Sequence, residues 1–121
     1  MAFLSVNPAT GEEFFRADGH DAAQVEAILE EASLAAPDWR DQPIAERAEL
    51  LRRVSRVLQA RRDELANLAT REMGKLKAEA RAEVEKCASA CDYYAEHAEA
   101  FLADERIGTD AADSRVVYQP L

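Results

Sequence analysis

The spacing of apolar residues changes along this chain, and each change predicts a new element. In "FLSVNPATGEEFF" short apolar pairs flank a Pro–Gly loop, which predicts a β-hairpin over 3–16 with strands Phe3–Val6 and Glu13–Arg16. Pro8 presets φ for the first turn position, and Gly11 supplies the left-handed conformation that closes a four-residue loop. From Asp21 the period lengthens. Val25, Ile28, Leu29 and Ala32 recur at helical spacing behind an Asp21/Gln24 capping box, and Pro37 ends a helix predicted at about 21–36. Trp39 then falls in a short connection, anchoring it to the core.

Pro43 suits the first turn of a second helical segment whose apolar stripe is Ile44, Ala48, Leu51, Val54 and Leu58. Arg61 and Arg62 interrupt the stripe, Asp63 can cap a renewed helix carrying Leu65, Leu68 and Ala69, and Gly74 stops it. The prediction is a helix over 43–73 with a bend. The third helix runs over 77–102. There Ala80, Val84, Cys87, Cys91, Tyr94, Ala98 and Phe101 alternate spacings of four and three, which predicts a continuous buried seam. "RIGTDAADS" reads as loop and "RVVYQPL" as a strand over 115–121. A lone strand leaves its backbone donors and acceptors open, so the chain is expected to be the front of something longer.

Composition narrows the partners. With 121 residues and 48% hydrophobic content the chain is of single-domain size and able to build a core. Fifteen basic against 24 acidic residues leave a net charge of −9, which works against binding nucleic acid or anionic membrane. No apolar run approaches the ~20 residues of a membrane span, and the start has no basic segment of the kind that opens a signal peptide. Two free thiols without export signals lead us to expect a cytoplasmic protein.

Candidate chemistry is thin. A disulfide between Cys87 and Cys91, four apart on a helix, would strain the bridge geometry, and on an apolar seam both thiols act as small hydrophobes. A zinc site needs two further ligands, but His97 lies on a different face and His20 is remote, so both histidines read as surface residues. Glu79, Glu83, Lys86, Glu96 and Glu99 read as solvated helix faces. The four glycines, at 11, 19, 74 and 108, are isolated, so no glycine-rich turn brings backbone N–H groups to a phosphate. The chain's own residues therefore supply neither a catalytic nor a cofactor-binding site.

The ordered set of motifs carries a resemblance. "VNPATGEEF", the P-x-x-E-R-x-x-L-L stretch after Trp39, the E-M-G-K corner and the D-Y-Y-A-E helix occur in this order in aldehyde dehydrogenases. "EVEKCASACDYYAEHAEAFLADE" most resembles the shorter bacterial members active on succinate semialdehyde. The resemblance implies an α/β, Rossmann-like fold, of which this mainly α-helical segment with its hairpin and strand is the incomplete front of the coenzyme-binding domain, 1–121. It implies oxidation of a small aldehyde with NAD or NADP by a nucleophilic cysteine and a glutamate base, neither in this segment. It also implies that the segment alone binds no coenzyme, that the intact enzyme is a homodimer or tetramer, and that the segment's first partner is the remainder of the fold. Two peripheral sites follow in the same way: main-chain oxygens at Val6, with Ser5, and the Glu72 carboxylate for a monovalent cation, and Lys86 with Ser89 at the aldehyde entrance. The competing expectation is a standalone helical interaction module.

Overall fold

The Asn7 N–H donates to the Glu12 carbonyl at 2.9 Å, and those of Thr10 and Gly11 donate to the Asn7 carbonyl. These bonds close the four-residue loop, with Gly11 at φ +73°. The computed structural model describes residues 2–119. The strands on either side of the loop are β1 (Ala2–Val6) and β2 (Glu13–Asp18), slightly longer than their sequence signal. Ser5 pairs with Phe15 and Val6 with Glu13, so Phe14 is left over as a bulge. Bulges re-aim side chains, and the Phe14 ring lies 4.4 Å beneath the Arg71 guanidinium.

α1 (Ala22–Asp41) begins with the expected reciprocal capping box between Asp21 and Gln24. It does not stop at Pro37, which lies inside it, so the predicted boundary near 36 is corrected to 41 and Trp39 is helical rather than part of a connection. Every residue of α1 is exposed. The Ser33 carbonyl that Pro37 cannot bond is thus free to take water instead, and proline's fixed φ is itself helical. Along its length α1 packs against no other element. Its end does reach the rest of the fold, where Trp39 borders a hollow with Ile44, Leu51 and Ala98.

α2 (Ile44–Ala60), α3 (Arg62–Met73) and α4 (Lys77–Phe101) form the core. The predicted bend is a break at Arg61, and Asp63 sits in the first turn of α3 without capping it, held instead by Arg81 at 3.0 Å. Arg52 donates to the Ala95 carbonyl at 3.1 Å, Ser55 to Asp92 at 2.8 Å and Arg62 to Glu85 at 2.9 Å. As these cross-links step forward along α2 and into α3 they step backward along α4, so the helices run antiparallel. What they bury is small: Ala48, Ser55, Ala66, Ala80, Ala88 and Ala95.

The expected seam is therefore shifted. Ala88 and Ala95 take the places given to Cys87 and Tyr94, which are exposed, and Phe101 is half exposed. On α2 Ser55 is buried where Val54 was expected, and Val54 remains 39% exposed. Close helix approach favours residues with little side chain at the crossing.

After α4 the chain turns back through a two-residue pairing of β3 (Glu105–Arg106) with β4 (Arg115–Val116). Arg106, read as loop, is thus in a strand. The strand predicted over 115–121 is confined to 115–116, and Pro120 and Leu121 lie outside the described residues. No helix among the described residues is long and apolar enough to cross a membrane.

Candidate functional site

The hairpin meets the end of α3 at one point. Ser5 Oγ donates to Glu72 Oε1 at 3.0 Å, joining residues 67 apart in sequence. The two line a hollow with Phe14, Phe15 and Leu68. α3 stops here because Gly74 takes φ +71° and returns its N–H to the Thr70 carbonyl at 3.0 Å. A Cβ on Gly74 would lie 3.2 Å from Pro8 Cγ, so the loop of the hairpin rests directly on the helix end. The Phe14–Arg71 contact adds a third attachment. The Ser5, Val6 and Glu72 positions are thereby neighbours: Val6 follows Ser5 in β1, and the second Glu72 oxygen has no hydrogen-bond or ion-pair partner among the described residues. Hydroxyl, main-chain and carboxylate oxygens are chemically the kind of donor a hard cation takes.

Lys86 and Ser89 lie three apart on the exposed side of α4. Ser89 Oγ donates back to the Glu85 carbonyl at 3.0 Å, and Lys86 makes no ion pair among the described residues. Neither borders the hollows beside Phe14, Val54, Trp39 or Tyr118. Of the expected solvated face, Glu83 pairs with Lys75. His20 is exposed, whereas His97 is half-buried, stacked on Tyr93 at 4.3 Å with Phe101 beyond. No group of three or more metal-binding side chains occurs among the described residues. The hydrogen bond from Arg56 is the main cause holding Glu49 below the ordinary carboxylate range, and Arg61 does the same to Glu64.

Two side chains of consequence escaped the sequence reading. Ser55 is 1% exposed and takes a hydrogen bond from Gln59 at 3.1 Å while giving its own to Asp92. Arg47 is half-buried between two hollows, one beside Trp39 and the other beside Tyr118. No local pattern gives the burial of either, although Arg47 is the arginine of the P-x-x-E-R-x-x-L-L stretch, because both depend on α4 lying across α2.

Comparison with known proteins gives a consistent picture. The model of the aldehyde dehydrogenase family matches residues 2–121. A probable succinate-semialdehyde dehydrogenase (NADP+) of Synechocystis sp. is 45% identical over all of this chain, which spans 27% of that protein. A succinate semialdehyde dehydrogenase (NAD(P)+) of Escherichia coli is 42% identical over 98% of this chain and 26% of its own length. The crystal structure of succinic semialdehyde dehydrogenase from Streptococcus pyogenes, in complex with NADP+, superimposes with a TM-score of 0.86 at 34% identity, covering 92% of this chain and 25% of the other. The chain thus spans about a quarter of the length of the proteins it matches.

Proposed function

Because this chain belongs to the aldehyde dehydrogenase family, we propose that it is the front part of the coenzyme-binding domain of an NAD(P)-dependent enzyme that oxidises succinate semialdehyde to the carboxylate. The observation that carries the reading is the 45% identity, over the whole of this chain, to a probable succinate-semialdehyde dehydrogenase (NADP+). The same end-to-end match favours it over a standalone interaction module. Within the intact enzyme the nucleophile, the base and the coenzyme contacts come from outside this segment, and the coenzyme supplies the electron acceptor.

This chain's own contribution is support. Ser5, Val6 and Glu72 hold a monovalent cation where the hairpin meets α3, tying the first two elements to the helical core. Lys86 and Ser89 stand at the aldehyde entrance, where the ammonium of Lys86 attracts the carboxylate end of the substrate. Across solvent-exposed distances such an attraction is worth about 1 kcal/mol, close to fivefold in KM.

The test is kinetic. The longer enzyme should oxidise succinate semialdehyde with NAD+ or NADP+, whereas the purified 121-residue chain should give no turnover. In the longer enzyme Lys86→Ala raises KM for succinate semialdehyde about fivefold and leaves KM for an uncharged aldehyde of similar length unchanged. Turnover by the short chain that survives stringent purification would refute the segment reading. An equal change for both aldehydes would remove Lys86 from the entrance.

A further inference from the structure

Among the described residues four lysine or arginine side chains are half-buried: Arg47, Arg62, Lys75 and Arg81. Three of them are answered by acids, Arg62 by Glu85 at 2.9 Å, Arg81 by Asp63 at 3.0 Å and Lys75 by Glu83. Arg47 is not. It makes no ion pair among the described residues, and its Nε is buried without a hydrogen-bond partner. Its surroundings are mainly apolar and carry no acid: Trp39, Ile44, Leu51 and Ala98 on one side, Leu102 and Tyr118 with the neutral Gln119 on the other. Apart from Arg47 itself, the ionisable group among the described residues lining either hollow is Tyr118, whose hydroxyl is committed to Glu105 at 2.5 Å.

A guanidinium keeps its charge inside a protein, so Arg47 cannot relieve its desolvation by losing a proton. Its planar fork of donors matches a carboxylate, two N–H groups to two oxygens. A free anion would satisfy the charge but leave Trp39, Leu102 and Tyr118, each about half exposed, uncovered. The occupant therefore brings apolar surface together with one acid.

We propose that Arg47 is the docking point for a carboxylate side chain from the part of the dehydrogenase beyond this segment, whose apolar surroundings cover the two hollows that meet at Arg47, one beside Trp39 and one beside Tyr118. This rests on the reading of the chain as the front of a longer dehydrogenase. Three quarters of the length of the matched relatives lies outside what this chain covers, ample to supply both the acid and its apolar cover.

The experiment uses the longer enzyme, with Arg47→Met, Arg47→Lys and, as control, the exposed Arg53→Met on α2. Methionine keeps the apolar stem and removes the donors, leaving the partner carboxylate desolvated and unpaired. At neutral pH Arg47→Met should raise the unfolding equilibrium constant roughly tenfold or more relative to Arg53→Met, and Arg47→Lys should recover part of that loss of stability. The paired carboxylate has a depressed folded-state pKa, so its contribution is present above its unfolded value near 4 and is lost as pH falls through that range. The deficit of Arg47→Met should therefore shrink on acidification. A deficit equal to the control's, or one flat with pH as a main-chain carbonyl partner would give, overturns the proposal. So does a deficit that disappears on dilution to monomer, which assigns the acid to a second copy. Aldehyde oxidation by the same preparation separates the two levels: activity with a pH-flat Arg47→Met sinks only the docking point, and no activity sinks the dehydrogenase reading and the docking point with it.

Discussion

Replacing Ala88 by leucine is expected to cost about 1–3 kcal/mol of folding stability, read as a drop in the denaturant midpoint. Ala88 is 2% exposed, one turn before Asp92, which takes the hydrogen bond of the buried Ser55 of α2. A leucine there has no space to enter without forcing the helices apart. Separation also stretches the bonds that fix their register, Ser55 to Asp92 at 2.8 Å and Arg52 to the Ala95 carbonyl at 3.1 Å. Both are intolerant of an added methylene's thickness, since a hydrogen bond weakens steeply once its geometry is lost. Ala90→Leu, two residues on and exposed, is the control and should fall within about 0.5 kcal/mol of the parent. Equal losses at the two sites would mean that leucine disturbs α4 itself and that Ala88 is no close-packed crossing.

The same crossing explains what the sequence did and did not disclose. Hairpin, capping box and the Arg61 break were legible because each is decided by a few adjacent residues: Pro8 and Gly11, Asp21 and Gln24, the paired arginines. Pro37 misled because the rule that proline ends helices assumes that the unbonded carbonyl has no alternative, and on an exposed helix water provides one. Val54, Cys87 and Tyr94 were placed in the core by an argument that rewards large apolar residues at helical spacing. The interface instead selected Ser55, Ala88 and Ala95, since helices brought close together have room for little else.

Of the candidate site, Glu72 and Val6 entered through resemblance to a family. No spacing rule joins positions so far apart, and only the fold lays Ser5 against Glu72. Lys86 and Ser89 share a helix face by simple periodicity, and their proposed place at an aldehyde entrance came from the family resemblance, not from spacing. Arg47 belongs to the P-x-x-E-R-x-x-L-L stretch, but its burial was not legible there. It sits in an E-R pair on a charged helix, where an ordinary solvated arginine would be expected, and its burial comes from Trp39, α4 and the return through Tyr118 together.

The hairpin's attachment to α3 admits a sharper test, because two glycines share one backbone conformation in different surroundings. Gly11 has φ +73° with nothing within 4 Å of an added Cβ, whereas Gly74 has φ +71° with Pro8 Cγ 3.2 Å away. Gly11→Ala should cost the conformational term alone, about 1–2 kcal/mol. Gly74→Ala should cost that and more, because the methyl group pushes on the loop that carries Pro8 and so loosens Ser5 from Glu72. Removing the obstacle isolates the excess: in a double-mutant cycle with Pro8→Ala, the two substitutions should couple by roughly 0.5 kcal/mol or more, Gly74→Ala being milder when residue 8 has no ring. The cation proposed at Ser5, Val6 and Glu72 gives the cycle a second readout, since protection of the folded state by added potassium should weaken in Gly74→Ala and return in the double variant. Additive costs with unchanged protection by potassium would mean that the loop merely lies near the helix end, and that the left-handed turn at Gly74 ends α3 without holding the hairpin to it.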